Sequence, residues 1–286
     1  MRTLKNFKAQ KLILLLLIPS LAGMMVFYFI PALSSLFNAF TNHHGDFVWF
    51  TNFIDVLTSG AFRLATQNTL RFILISVPVN IVLAYVLAGF CQGLKHKKIF
   101  AVIFMIPLII PSGAIVYFWH ILFAENGIIN RILFQHGFDT TIWFSSPAAF
   151  WITMLVFIFK NIGFNLVLFL AGFQLIPTEY YEVAEINGAG TFQKFRHVTF
   201  VYMLPTTLLV LIMSIINSFK IFREIYLLFG RYPHPSTYML QHFMNNQFAA
   251  ANLQRLSVSA VMLSLAVFVL VLGVFKGTHK LTDIYD

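Results

Sequence analysis

Six stretches of the 286-residue sequence are apolar over about the length needed to cross a lipid bilayer. A spanning helix needs roughly 20 apolar residues, because each residue adds about 1.5 Å and the hydrocarbon layer is about 30 Å thick. Hydrophobic residues make up 59% of the chain and charged residues 10%, which excludes a soluble domain. We predict an all-α integral membrane protein with a single domain, 1–286, and six transmembrane helices at about 11–33, 69–90, 99–123, 148–173, 200–222 and 257–276.

Lysine and arginine are distributed unevenly between the two sides of these predicted spans. The side with both termini carries about 11 of them, and the opposite loops carry Arg63, Arg131, Arg223, Arg231 and Arg255. The positive-inside rule therefore places both termini and the loop 174–197 in the cytoplasm. The same topology explains the formal net charge of +9, so we expect membrane lipid, and no nucleic acid, as a partner. The basic residues of the cytoplasmic side are Arg2, Lys5, Lys8, Lys11, Lys95, Lys97, Lys98, Lys194, Arg196, Lys276 and Lys280.

Prolines occur inside several of the predicted spans, at Pro19, Pro78, Pro107, Pro111 and Pro205. Proline has no backbone N–H and breaks or kinks a helix. Lipid cannot satisfy the backbone groups that a kink frees, whereas a helix bundle around a cavity can. This pattern favours a transport pathway over a simple membrane anchor.

A polar stretch at residues 178–190 interrupts the apolar pattern and is predicted to be a short helix. Thr178 can cap its N-terminus, Glu179 and Glu182 follow in the first turn, and Gly188 or Gly190 ends it. About ten residues extend only about 15 Å, which is half of a bilayer. We therefore expect an exposed helix at the cytoplasmic surface.

The order of the residues in this region resembles the EAA loop of permease subunits from binding-protein-dependent ABC importers. The segment Leu170–Pro177 is similar to the segment that precedes this loop in permeases of the maltose and glycerol-phosphate branch. The segments Gln67-Asn68-Thr69 and Asn126–Asn130 also resemble that branch. The sequence departs from the family pattern at Val183, at Asn187 and near Val201, where a proline is expected. The matching elements are Glu182-Val183-Ala184, Asn187-Gly188-Ala189, Phe195-Arg196-His197-Val198 and Leu204-Pro205.

The resemblance implies that the helix between spans four and five is a coupling helix that docks on a separate ATPase. It further implies a second homologous permease subunit, an ABC ATPase dimer that uses ATP and magnesium, and an extracytoplasmic solute-binding protein. In this chain itself we expect no cofactor, and we expect it in a bacterial plasma (inner) membrane. A helix lying on lipid is the alternative, but its glutamates would be repelled by an anionic leaflet. The implied ATPase-coupling residues are Glu179, Tyr181, Glu182, Val183, Ala184, Asn187, Gly188 and Ala189.

Polar residues inside the predicted spans are candidates for a translocation pathway, because a polar group in hydrocarbon needs a partner or a watery cavity. These candidates are Tyr117, Lys160, Asn165, Asn217 and Ser218. Amide groups both donate and accept, which suits a solute rich in hydroxyl groups. The alternatives are a snorkelling or inter-subunit role for Lys160, interhelical hydrogen bonds for the asparagines, and an interfacial anchor for Tyr117.

The sequence indicates no catalytic centre and no metal site. It has no Gly-x-x-x-x-Gly-Lys-Ser/Thr loop, so ATP hydrolysis must occur elsewhere, and His43-His44 has only Asp46 nearby. A secondary, ion-coupled transporter is the main alternative and would carry acidic residues within its spans; all of them are predicted in loops or tails. A membrane-embedded enzyme is the other alternative and would need convergent reactive groups. The solute remains open among sugars, polyols and glycerol phosphates.

Overall fold

The computed structural model describes residues 15–282, and most of them are helical. Over these residues the extended pairing is limited to an isolated bridge between Thr41 and Phe47. The prediction of an all-α protein is confirmed. The beginning of the predicted span 11–33 and the basic residues Arg2–Lys11 lie outside the described residues.

The helices differ widely in length. In chain order they are α1 (Leu15–Phe40), α2 (Thr51–Thr58), α3 (Gly60–Gln92), α4 (Lys97–Ile109), α5 (Ser112–Phe123), α6 (Ile128–Gln135), α7 (Ala149–Gln174), α8 (Thr178–Ile186), α9 (Phe200–Lys220), α10 (Phe222–Phe229), α11 (Leu240–Ala249) and α12 (Leu253–Thr282). A π-helical turn, Met25–Phe29, lies inside α1. Another, Phe195–Thr199, joins the helical turn Thr191–Lys194 to α9.

Five helical segments in the described part of the chain are long and apolar enough to cross a membrane without a break. They are Leu15–Phe40, Gly60–Gln92, Ala149–Gln174, Thr191–Phe229 and Leu253–Gly273. Each overlaps a predicted span, but Gly60–Gln92 and Thr191–Phe229 extend well beyond the predictions of 69–90 and 200–222. Apolar composition marks only the part of a helix that lipid can cover, whereas the helix continues wherever its backbone finds packing partners.

The predicted third span, 99–123, is broken in the structure. α4 ends at Ile109, α5 begins at Ser112, and the helical segments on the two sides are bent by 94°. Ile110 is extended, with ψ 132°, because the ring of Pro111 disfavours helix in the preceding residue. The sequence marked Pro107 and Pro111 as residues that break or kink this span, and the break lies at Pro111. The described chain has five unbroken candidate spans, or six with the bent pair as one. By contrast, Pro78 and Pro205 lie inside continuous helices.

The chain divides into two compact units. The smaller contains residues up to Ser59 together with Met244–Phe268. Within it, Arg255 forms a bidentate ion pair with Asp55, in which Nε donates to Oδ2 at 2.7 Å and Nη2 donates to Oδ1 at 2.9 Å. The larger contains Gly60–Phe243 and the residues from Val269 onward, and it holds every candidate site residue predicted from the sequence.

In the larger unit, α7 packs against α3, α4 and α9. The rings of Phe72 and Phe157 lie 5.4 Å apart between centroids, and those of Tyr85 and Phe169 lie 5.2 Å apart. Residue numbers rise together along the two helices, so α3 and α7 are parallel. The opposite order relates α7 to α9, because Asn165 Nδ2 donates to Ser214 Oγ at 2.9 Å near one end and Gly172 faces Thr206 near the other.

Gly163 is the point of closest approach between α7 and α4. A β-carbon at this position would overlap the backbone carbonyl group of Phe104 and would lie 2.8 Å from the backbone nitrogen of Met105. Small residues allow such approaches between membrane helices, where the lipid supplies no hydrophobic driving force for association. The absence of a side chain at Gly163 therefore sets the distance between these helices.

We predict that Gly163→Ala destabilises the protein, because the added methyl group meets backbone atoms that cannot rotate away. The expected cost is about 2 kcal/mol, which is typical of overpacking. Gly89→Ala is the matched control, since it is also a helical glycine but has no atom within 4 Å of the added β-carbon. Thermal melting in detergent measures the difference, and equal melting temperatures for the two variants would contradict the prediction.

Candidate functional site

The polar stretch at 178–190 contains helix α8, Thr178–Ile186, which was predicted from its sequence. It follows Pro177, whose backbone is extended, and Glu179 lies in the first turn. Thr178 is itself the first helical residue and forms no capping hydrogen bond, so it does not act as the cap that the sequence suggested. Glu182 lies beyond the first turn rather than within it.

The C-terminus of α8 is a tight turn at Gly188. This residue has φ +74°, a conformation that favours glycine, and its N–H donates to the carbonyl oxygen of Glu185 at 2.9 Å. The N–H of Ala189 donates to the carbonyl oxygen of Ala184 at 2.9 Å. Of the two glycines that could end the helix, Gly188 does so, and Gly190 precedes the next helical turn.

The predicted ATPase-coupling residues fall on two sides of α8 and its turn. Glu179, Glu182, Val183, Asn187 and Gly188 are exposed, whereas Tyr181, Ala184 and Ala189 are half-buried. On the exposed side, Val183 is 56% accessible, and the neighbouring Ile186 is 86% accessible. Carboxylates beside accessible apolar side chains leave this side available to another protein surface.

Three contacts attach α8 to the helical segment that leads into α9. Lys194 Nζ donates to Glu185 Oε1 at 2.5 Å, and the hydroxyl groups of Tyr181 and Thr199 are hydrogen-bonded at 2.9 Å. The rings of Tyr180 and Tyr202 lie 4.8 Å apart. The hydrogen bond from Lys194 and its charge lower the pKa of the exposed Glu185 carboxyl group. A displacement of α8 therefore acts on the start of the segment Thr191–Phe229.

A cavity of about 530 Å³ lies in the larger unit, where the end of α9 and the start of α10 meet α4, α7 and α11. It combines cationic, anionic and amide groups with a few apolar ones, which is unusual among apolar helices. The polar residues that line it are Lys160, Asn161, Asn217, Lys220, Arg223, Glu224 and Gln241. Such a lining can bind a solute through hydrogen bonds and charge.

Glu224 is the most deeply buried charged group of this lining, with 1% of the residue accessible. Its Oε1 atom accepts hydrogen bonds from Lys160 Nζ, in an ion pair, and from Ser112 Oγ at 2.6 Å. Its Oε2 atom is also buried and has no hydrogen-bond partner among the described residues. Three elements far apart in the sequence therefore meet at one carboxylate.

Two interpretations from the sequence change at this point. The view that all acidic residues lie in loops or tails was wrong for Glu224. Lys160, for which snorkelling and an inter-subunit role were the alternatives, is half-buried and forms an ion pair with Glu224. The error arose because the predicted span ended at 222, whereas the helix Phe222–Phe229 continues. The helical spacing of the apolar residues could have predicted this continuation. Ile221 and Ile225 are both buried, and Glu224 lies on the same side of the helix.

The other pathway candidates are separated in the structure. Asn217 lines the cavity, as Lys160 does. Asn165 is fully buried and forms the interhelical bond to Ser214 described above. Ser218 donates to the carbonyl oxygen of Ile215 at 2.6 Å and lines a separate small cavity. Tyr117 is 69% accessible on α5 and lines neither of these cavities.

Gln241 reaches the cavity because the chain before α11 is attached to α3. Asn68 Nδ2 donates to the carbonyl oxygens of Pro235 at 2.6 Å and Tyr238 at 2.9 Å, and the Leu240 N–H donates to Thr69 Oγ1 at 2.9 Å. From the sequence alone, the segment Gln67-Asn68-Thr69 shows only a resemblance to a transporter branch, and no role is predicted for it. The structure shows its local role, which is to hold this loop.

His242, next to Gln241, is fully buried and is a structural group rather than a metal ligand. Its Nδ1 atom accepts a hydrogen bond from the Met239 N–H at 3.2 Å, and burial lowers the pKa of His242 to about 4. It therefore stays neutral at physiological pH. Within the described residues, no group of three or more His, Cys, Asp or Glu side chains is arranged to hold a metal ion.

The chain is similar to known membrane proteins over most of its length. The model of the family described as "Binding-protein-dependent transport system inner membrane component" matches residues 80–277. The arabinooligosaccharides transport system permease protein AraP of Bacillus subtilis is 30% identical over 73% of this chain and 69% of the relative. The trehalose/maltose transport system permease protein MalF of Thermococcus litoralis is 28% identical over 94% of this chain and 92% of the relative.

A solved structure shares the fold of the whole chain. It is a bacterial alginate ABC transporter crystallised with an alginate pentasaccharide-bound periplasmic protein. The TM-score is 0.84 at 20% identity, and the match covers 99% of each chain. The helical fold of this chain thus also occurs in another protein.

We predict that Lys160→Met destabilises the protein more than the double variant Lys160→Met/Glu224→Gln does. The single change leaves a carboxylate buried without its cation, at a cost of about 3 kcal/mol, whereas the double change removes both charges. Melting temperatures of Lys160→Met, Glu224→Gln and the double variant in detergent form a double-mutant cycle. Strictly additive losses would show that the two side chains do not stabilise one another.

Proposed function

The chain belongs to the family of binding-protein-dependent transport system inner membrane components, and from this premise we propose that it is a permease subunit of an ATP-driven carbohydrate importer. The family match carries the proposal, because residues 80–277 include α8 and all the residues that line the polar cavity. The chain is a multi-pass plasma membrane protein and a non-catalytic component, with ATP hydrolysis in a separate subunit.

A carbohydrate as the solute is supported by the relatives and by the cavity. The two relatives are named for arabinooligosaccharides and for trehalose and maltose. The amide groups of Asn217 and Gln241 can both donate to and accept from hydroxyl groups. The buried Glu224 removes one sequence argument against an ion-coupled transporter, and family membership decides between the two classes instead.

The parallel arrangement of α3 and α7 supports six membrane crossings. Two parallel spans require that the chain between them, Gln92 to Ala149, returns across the membrane once. The bent pair Lys97–Ile109 and Ser112–Gln135 provides that return. With six crossings both termini share one side, and the distribution of basic residues assigns it to the cytoplasm, together with α8.

In this arrangement α8 is the coupling helix. Its exposed side docks on an ABC ATPase dimer, which binds ATP and magnesium, while Tyr181 and Glu185 attach it to the segment Thr191–Phe229. That segment carries Lys220 and Glu224 at its other end, about 30 Å away along a helix of some 20 residues. Closure of the ATPase dimer can therefore move the wall of the cavity.

The remaining partners complete the importer. A second homologous permease subunit forms the other half of the pathway, and an extracytoplasmic solute-binding protein delivers the carbohydrate to the outer loops. The outer segment from Arg223 to Arg255 is the expected docking region for the binding protein. Crosslinks that connect the binding protein only to the second permease subunit would argue against this docking region.

We predict that Glu182→Lys and Gly188→Pro each reduce uptake of the binding protein's solute at least tenfold while the chain still inserts in the membrane. The first reverses an exposed charge on α8, and the second cannot adopt φ +74°. Copurification of the ATPase with the tagged chain measures docking, and radiolabelled uptake by cells with the whole transporter measures function.

Glu125→Lys is the control for Glu182→Lys, because it reverses the charge of an exposed glutamate in another loop. It should leave ATPase association unchanged. Normal ATPase association and normal uptake in both α8 variants would disprove the role of α8, whatever the solute is.

A further inference from the structure

The cavity at the end of α9 contains more positive than negative charge. Lys160, Lys220 and Arg223 line it together with a single carboxylate, Glu224. Glu224 forms an ion pair with Lys160, so its negative charge is already balanced by that lysine. Among residues 15–282, no carboxylate pairs with Lys220 or Arg223, so two cationic groups at the cavity remain uncompensated.

A second observation also points to a ligand. Glu224 lines this cavity, and its Oε2 atom is buried and lacks a hydrogen-bond donor among the described residues. A buried acceptor without a donor is destabilising, and more so when it carries a charge, so a bound donor would stabilise it. A hydroxyl group is a suitable donor, and Asn217 and Gln241 offer amide partners for other hydroxyl groups.

These two observations define a site of mixed character. Polar groups that suit hydroxyls surround the carboxylate, and Lys220 and Arg223 provide charge-assisted donors for an oxyanion. A volume of about 530 Å³ is in the range of small-molecule sites. Lys220 and Arg223 are themselves exposed, so an anion can reach them without first entering the helix bundle.

We propose that this cavity selects saccharides that carry an anionic group, such as a carboxylate or a sulfate ester, over neutral saccharides. Lys220 and Arg223 bind the anion, and Glu224, positioned by Lys160 and Ser112, accepts hydrogen bonds from sugar hydroxyl groups. This inference rests on the proposed import function and narrows its solute class. A lipid phosphate shares the oxyanion chemistry and is the competing ligand for the two cationic side chains.

The test uses the assembled transporter, with its ATPase and second permease subunit, in nanodiscs. Three probes share one backbone: a galacturonic acid trisaccharide, a sulfated galactose trisaccharide and the neutral galactose trisaccharide. We expect the wild type to bind at least one anionic probe at least tenfold more tightly than the neutral probe. Lys220→Gln/Arg223→Gln should lose that preference, because its affinity for the anionic probes should fall much more than its affinity for the neutral probe.

Lys95→Gln/Lys98→Gln is the matched control, because it removes two exposed positive charges near the start of α4, outside the cavity. It should retain the preference for the anionic probe. Melting temperatures report whether each variant is folded. The single variants Lys220→Gln and Arg223→Gln should each lose part of the preference for the anionic probe.

The inference would be overturned by equal affinity of the wild type for anionic and neutral probes or by no binding of either anionic probe. An equal loss of affinity for all probes in the double variant would also overturn it. Nanodiscs of phosphatidylcholine alone and with phosphatidylglycerol separate the lipid alternative. If the double variant loses only bound phosphatidylglycerol, the cationic groups bind lipid and the inference fails. ATPase copurification is scored separately, so such a failure leaves the coupling function of α8 intact.

Discussion

The packing of α7 against three other helices is the contact on which the geometry of the larger unit depends. Lipid does not drive helices together, so close association requires small residues and interhelical hydrogen bonds. α7 supplies Gly163 for the approach of α4 and Asn165 for the bond to Ser214 of α9. Lys160 lies one helical turn before Gly163, so the same packing that draws the helices together also sets the position of a charge.

The charge of Lys160 is paired with Glu224, and this pairing allows both charged groups to line a cavity among apolar helices. Removing an ammonium and a carboxylate from water costs several kcal/mol for each ion, and only a close pair with further hydrogen bonds offsets it. Lys160 and Ser112 both bind one oxygen of Glu224 and leave the other without a partner in the described chain. The carboxylate of the ion pair is thus incompletely satisfied, and one of its oxygens can still accept a hydrogen bond.

The cavity and α8 lie at opposite ends of one helical segment, Thr191–Phe229. The hydrogen bond between Tyr181 and Thr199 and the one that Glu185 accepts from Lys194 attach α8 near the start of this segment. Glu224 lies near its end. A helix is stiff along its axis, so a displacement of α8 can be transmitted along this segment to the cavity. The proposed coupling function requires such a connection.

The sequence by itself determined the helical class, the approximate positions of the spans and the short helix at 178–186, because apolar length, proline and glycine act through local backbone chemistry. It also indicated Lys160 and Asn217, since a polar residue in an apolar run stands out. The 94° break at Pro111 was only half predicted, because proline shows where a helix weakens but not how far it bends. Only the tertiary structure determined that Lys160 and Ser112 both bind Glu224. The three residues are far apart in the sequence, and helix packing brings them together.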